Sequence, residues 1–224
     1  MPVRLYPHSA SPLLRASVLK IVLLPLLAMP ALAADVVDKV QARYDQTRDF
    51  TAEVRQELVM ASGGKTLTAK GTVAFKKPGR MRWTLTDGVS QVIVADGTTL
   101  WFYEPDERQV LKAPFQNAFR SSTPISFLTG VGRLRTDFDV TADAPQDGRL
   151  RLHLQPRGEA DLGALVLTVD AASYDIVGAE VTDPIGNITR LQFSDLRRNV
   201  GLPDDAFQFE APAGVDVVEA PIGN

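Results

Sequence analysis

Residues 71–110, GTVAFKKPGRMRWTLTDGVSQVIVADGTTLWFYEPDERQV, decide the fold. Gly71, Val73 and Phe75 alternate with Thr72, Ala74 and Lys76. After a Lys77-Pro78-Gly79 turn, Met81, Trp83 and Leu85 alternate with Arg80, Arg82 and Thr84. A period of two with aromatic and β-branched enrichment marks half-buried strands, because successive side chains point to opposite faces of a sheet. Asp87-Gly88 and Asp96-Gly97 bracket the apolar run at residues 91–95, and Leu100-Trp101-Phe102-Tyr103 follows. An Asp-Gly pair turns tightly because both residues tolerate positive φ, so the stretch reads as an antiparallel meander of four strands. Its apolar side chains exceed what one buried face needs: Val92 and Val94 oppose Ile93, and Trp101 and Tyr103 oppose Leu100 and Phe102. Such doubled faces imply either a wrapped, densely packed sheet or an internal apolar cavity.

Outward from the meander, the N-terminus reads as an export signal. Arg15 and Lys20 precede an apolar run at residues 21–31, and Ala31-Leu32-Ala33 supplies a small-residue cleavage site. The run is short for a membrane span and contains Pro25 and Pro30. Cleavage is expected after Ala33, which leaves one domain over residues 34–224. Removing residues 1–33 takes away Arg4, Arg15 and Lys20 and no acidic residue, moving the formal net charge from −3 to −6. An acidic chain without a basic cluster argues against nucleic acid as a partner and against electrostatic docking on anionic lipid, though not against apolar contact with lipid. The chain has no cysteine. That excludes disulfides, thiolate metal sites, cysteine nucleophiles and the acylated cysteine of a bacterial lipoprotein. The expected address is the periplasm, in soluble form.

The rest of the chain extends the sheet. Residues 35–48 carry Val36, Val37, Val40 and Tyr44 at helical spacing, with Asp35 at or near the N-cap. A first strand runs from Phe50 to about Met60, and residues 109–111 form the strand after the meander. Between Ala113 and Leu134 the alternation stops, and Phe115, Phe119, Ile125, Phe127, Leu128 and Val131 fall at roughly helical spacing around Pro114 and Pro124. This predicts two short apolar helices with a loop between them, either packed permanently on the sheet or covering one face of it as a movable lid. Strands resume at residues 138–140, 149–155, 162–170, 176–182 and 187–196, with one more possible at 215–219. The fold predicted is mainly β: a curved antiparallel sheet of about ten or eleven strands, an unclosed barrel with helices against its concave side.

Catalytic constellations are missing. His153 is the one histidine left after the signal peptide, and it shares a strand face with Arg151 and Gln155, opposite the leucines, where solvent is expected. No nucleophile elbow, zinc-binding helix or phosphate loop occurs. Asp204 and Asp205 follow Leu202-Pro203 and read as a turn or cap device, and the Asn187-Ile188-Thr189 sequon is a short match of the kind chance supplies. No enzyme, cofactor or metal is predicted. What remains is apolar surface.

The ordered motifs resemble a known family. Phe50, Ala52 and Gln56, then KKPGRMRW at residues 76–83, DGTTLWFY at 96–103 and Gln109-Val110 look like the periplasmic outer-membrane lipoprotein carrier family, LolA. Thr123-Pro124 to Leu128, then residues 207–212 and 214–217, continue the match in order. The resemblance implies an unclosed β-barrel with a helical lid over an apolar cavity. It implies a monomer that takes lipoproteins from an ATP-driven release complex in the inner membrane and delivers them to an acceptor at the outer membrane. On that reading Met81, Trp83, Leu85, Ile93 and Leu100 line the pocket, with Phe115, Phe119, Phe127 and Leu128 on the lid. The family carries an arginine before the proline of the 77–79 turn, which helps to hold the lid shut through hydrogen bonds; here Lys77 stands there and inherits lid control without the planar fork. Met81 takes the place of an aromatic common in the family. Two other functions stay open: a half-barrel sensor that binds a lipid or lipoprotein signal, and a carrier of other envelope lipids. Sensors of that kind carry a further domain or an anchor, which favours the carrier.

Overall fold

The computed structural model describes residues 29–118, 133–157 and 164–219. Helix α1 (Met29–Asp45) starts before the expected point, so Asp35 is not its cap but an internal residue paired with Lys39 at 2.6 Å. The sequence MPALAA continues the helix backwards: Ala, Leu and Met favour it, and Pro30 is harmless in a first turn. The helix also ends earlier than expected, where Thr47 donates its hydroxyl to the Arg43 carbonyl at 3.0 Å.

Eleven strands follow in the order of the chain: β1 (Asp49–Val59), β2 (Thr66–Lys76), β3 (Arg80–Asp87), β4 (Gln91–Asp96), β5 (Thr99–Glu104), β6 (Gln109–Pro114), β7 (Phe138–Ala142), β8 (Arg149–Pro156), β9 (Ala164–Asp170), β10 (Ile176–Thr182) and β11 (Ile188–Arg198). A twelfth, β12 (Asp216–Glu219), closes the described chain. Two short helices interrupt them, α2 (Phe115–Ala118) and α3 (Leu134–Asp137). The predicted helical stretch therefore begins as expected at Phe115, and its second half, residues 119–132, lies outside the described residues.

Among the described residues all twelve strands form one sheet, ordered β12-β6-β5-β4-β3-β2-β1-β11-β10-β9-β8-β7. Neighbours pair antiparallel throughout, except that β12 runs parallel to β6. The two ends of the order, β12 and β7, do not pair with each other, so the curved sheet stays unclosed, and α1 and α3 lie against β7. The sheet thus holds twelve strands where about ten or eleven were expected; β12 realises the strand named as possible at residues 215–219, although all four of its residues are exposed.

The register separates the two apolar faces that the meander carries. On the inner face, Phe75 pairs with Met81, Met81 with Ala95 and Ala95 with Leu100; one row along, Val73, Trp83, Ile93 and Phe102 line up. Helix α1 lays Val36, Val37, Val40 and Tyr44 into the core that this face helps to build. The outer face is used differently. Val94 and Val110 on the sheet, and Phe207 in a 3-10 turn (Asp204–Phe207), are completely buried. Trp101 and Tyr103 meet the ring of Phe209 at 6.2 and 5.9 Å. Cations pin this strap: Arg82 donates to the carbonyls of Ala206 (2.7 Å) and Gln208 (2.6 Å), and Lys76 to that of Leu202 (2.6 Å). Half of the excess apolar surface therefore covers itself with the C-terminal segment, and the other half faces α1.

Candidate functional site

The inner wall is built by period-two side chains brought into rows by strand pairing. Phe50 stacks on Phe75 at 4.8 Å, Phe75 meets Trp83 edge-on at 6.4 Å, and Trp83 meets Phe193 edge-on at 6.3 Å. This aromatic line crosses β1, β2, β3 and β11 in space, and such contacts favour tilted rings over sandwiches because of the ring quadrupole. Of the predicted acyl-contact residues, Met81, Trp83 and Leu85 lie in this wall with at most 4% of their surface exposed. Ile93 and Leu100 pack against the same cluster, half-buried. Phe115 joins it as well, its ring so close to the 77–79 turn that a Cβ on Gly79 would stand 3.0 Å from Cζ. Phe119, Phe127 and Leu128 lie outside the described residues.

Lys77 sits against the C-terminal end of α1. Its Nζ donates to the Tyr44 carbonyl at 2.5 Å and stands 3.5 Å from the centre of the Tyr44 ring. A cation at a helix C-terminus complements the macrodipole, and the ring face adds a cation–π contact. Burial pulls the ammonium pKa down to about 8, against the opposing charge of Asp45. Sequence reasoning tied this residue to a lid; its described partner is the carbonyl and ring of Tyr44.

A second fastening was not foreseen. Asp175, in the β9–β10 turn, accepts two hydrogen bonds from Arg43 of α1 (2.8 and 3.2 Å) and an ion pair from Arg198 of β11 (3.0 Å). Behind this triad is a slot of about 40 Å³ lined by Tyr44, Phe50, Ile176, Phe193 and Leu196. The slot shares Phe50 and Phe193 with the aromatic line, and none of the predicted acyl-contact residues lines it. Only the folded chain brings Arg43, Asp175 and Arg198 together. A larger depression of about 440 Å³ is polar at its arginines: Arg190 is paired to Glu180 at 2.7 Å and Arg149 to Asp170. It holds no part of the aromatic line except Phe193, so the wall beside α1 is the stronger candidate.

The polar residues singled out in the sequence are tied into turns and ion pairs. His153 is half-buried and meets Asp143 at 2.9 Å. Asp204 accepts from Lys76 at 2.5 Å and lies 3.6 Å from Arg80, so its carboxylate serves the strap. Asn187 accepts from the Ala61 backbone at 3.0 Å and donates to Asp183 at 2.8 Å, a turn-fixing role. Among the described residues no group of His, Asp and Glu is arranged to hold a metal ion, and no helix is long and apolar enough to cross a membrane.

An unclosed β half-barrel with a helix laid against an apolar inner wall is the class these features define. Residues 45–210 match the family described as "Outer membrane lipoprotein carrier protein LolA". A protein of Methylobacillus flagellatus named "Outer-membrane lipoprotein carrier protein" is 33% identical over 185 residues, covering 83% of this chain and 89% of its own. One of the same name from Dechloromonas aromatica is 32% identical over 196 residues, covering 88% and 91%. The chain belongs to the LolA outer-membrane lipoprotein carrier family. Among solved structures, an uncharacterized conserved protein from Thermus thermophilus shares the fold, with a TM-score of 0.52 at 16% identity, over 84% of this chain and 99% of that one.

Proposed function

We propose that this protein is a periplasmic chaperone that accepts lipoproteins released from the inner membrane, shelters their acyl chains against the inner wall and delivers them to the outer membrane. The observation that carries this reading is the continuous apolar wall from Met81 and Trp83 to Phe193, onto which α1 packs Val36, Val37, Val40 and Tyr44 and to which its C-terminal end is tied by Arg43 and Lys77. Each acyl methylene contributes about 0.8 kcal/mol of transfer free energy, so three long chains resist aqueous transit by roughly 30 kcal/mol gross. A carrier must offset most of that and still let go. A wall packed shut when empty, opened by displacing α1 and the lid, meets both demands, because closing over itself competes with cargo.

In this reading Met81, Trp83, Leu85, Ile93 and Leu100 form the fixed wall, and Phe115, Phe119, Phe127 and Leu128 the moving side. Lys77 holds α1 down and sets how readily the wall is uncovered. The signal peptide ends after Ala33, the exported chain works as a monomer, and an ATP-driven complex loads it. The test is mass spectrometry of what copurifies with the tagged protein from periplasm. Triacylated lipoprotein is expected; free phospholipid or glycolipid alone would make it an envelope-lipid carrier, and an empty protein would contradict the reading.

A further inference from the structure

Strand pairing sets a cation on the inner face. Phe50 of β1 stands directly opposite Arg198 of β11, and residues so paired share a face of the sheet. Arg198 therefore joins Phe193 and Leu196 along the apolar side, and all three line the slot behind the triad. Its side chain is only 24% exposed. A charge held there costs free energy unless a carboxylate meets it.

The carboxylate that meets it is already shared. Arg43 takes both oxygens of Asp175, Oδ1 at 2.8 Å and Oδ2 at 3.2 Å, whereas Arg198 reaches Oδ1 through Nε at 3.0 Å. Two guanidinium groups divide one carboxylate, so the cluster keeps a net positive charge. The acids nearest in the chain are committed elsewhere. Asp49 accepts from the backbone of Val200 (2.7 Å) and Gly201 (3.2 Å), and Asp170 from that of Ala172 (3.1 Å) and Ser173 (2.9 Å). Among the described residues no other group pairs with the Arg198 guanidinium, and its nitrogens are not sealed from solvent. Its two terminal nitrogens are left for water or a ligand.

The slot supplies the apolar half of a site. Its volume of about 40 Å³ has room for roughly three methylene-sized groups, at about 10–15 Å³ for each water-sized group. We propose that it binds a single-chain amphiphile with an anionic head, a carboxylate or a phosphate. The head accepts from the terminal nitrogens of Arg198 with Arg43 adding charge, and the first methylenes enter between Phe50 and Phe193. The planar guanidinium fork suits either head, since both offer paired oxygens. Such a ligand differs from the proposed cargo: the amine of a triacylated cysteine is itself acylated, so that anchor carries no charge for a cation to meet. None of the predicted acyl-contact residues lines the slot, and this site stands apart from the carrier reading.

The exported chain is titrated with decanoate, decyl phosphate and 1-decanol, which share one chain length and differ in the head. Both anions are expected to bind about ten-fold tighter than decanol, the effect of a charge-assisted hydrogen bond at a partly exposed site. The tighter of the two names the source, a free fatty acid or a phosphate-headed lipid. Arg198→Gln should bring the anions down to the level of decanol, and Arg198→Lys should keep part of the preference. Equal affinity for all three ligands overturns the proposal. So does an Arg198→Gln variant that weakens all three alike, which assigns Arg198 to the fold alone. If that variant fails to fold, salt decides on the unsubstituted protein: the anion preference should shrink as salt rises, and a preference indifferent to salt overturns the proposal. Copurification of triacylated lipoprotein tests the carrier reading separately. Its absence with the anion preference intact removes the carrier and leaves the slot; its presence without that preference removes the slot and leaves the carrier.

Discussion

Replacing Asp175 by Asn tests whether α1 is a fastened cover. The carboxylate side chain is 16% exposed and holds Arg43 through two hydrogen bonds and Arg198 through a third contact. Asn keeps the shape but removes the charge, leaving two guanidinium groups at 28% and 24% side-chain exposure without their carboxylate. Breaking a fully buried pair costs about 3–5 kcal/mol, and exposed pairs contribute about 0–1. The partial exposure of this triad places the expected loss near ~2 kcal/mol. Urea unfolding should show it as a lower midpoint at unchanged slope. Because Arg43 is the helix's tie to the β9–β10 turn, hydrogen exchange along the C-terminal half of α1 should quicken, and uptake of a fluorescent fatty acid should speed up. Arg43→Met combined with Asp175→Asn should cost clearly less than the sum of the single changes, since both break the same contact. A loss under about 0.5 kcal/mol with unaltered exchange in α1 refutes the idea that this triad fastens the helix.

Lys77 gives a pH dependence. Its folded pKa, about 8, lies below its ordinary 10.5. Between those values the unfolded chain holds the proton and the folded chain does not, so this group makes stability rise with pH through that window, and its charging cost is fully present below it. Discounted for partial solvent exposure, the gain is about 1–2 kcal/mol. Lys77→Met should flatten the rise relative to the unsubstituted protein in denaturation curves taken at either end of that window. Gly71→Ala would put a Cβ 1.8 Å from the Thr84 carbonyl oxygen, which only separation of β2 from β3 relieves. A loss of about 3 kcal/mol is expected in thermal unfolding, and a neutral result would mean the two strands are less closely apposed. Phe207→Ala, emptying a fully buried socket on the outer face, should cost about 3–5 kcal/mol while leaving fatty-acid affinity unchanged, because the strap and the inner wall lie on opposite sides of the sheet.

The meander was legible because alternation and Asp-Gly turns are local signals: Met81, Trp83 and Leu85 share a face by chain geometry alone, and the structure keeps them there. Doubling of the apolar faces was legible too, but not its cause. Trp101 and Tyr103 meet Phe209 across a long stretch of chain, a contact no periodicity encodes. The same holds for the Arg43, Asp175 and Arg198 triad, three charges that read singly as solvated surface. The start of α1 differs for another reason: in the full chain the helix runs straight through from Met29, so Asp35 lies inside it, whereas cleavage after Ala33 would leave Asp35 in its first turn. Lys77 was found by its place in a motif, and its partner, the end of α1, only by the fold.

The central claim is that acyl chains of the cargo lie against the inner wall, and the two tryptophans separate the faces. Trp83 is buried on the inner face, and Trp101 stands half-buried on the outer face under the strap. A Trp101→Phe variant leaves Trp83 as the one emitter, and a Trp83→Phe variant leaves Trp101. Each is loaded with a triacylated lipopeptide whose chains carry bromine, a quencher that acts at contact range. Strong quenching of Trp83 with Trp101 unaffected is the result predicted; quenching of Trp101 with Trp83 untouched would place the cargo on the other face and contradict the account.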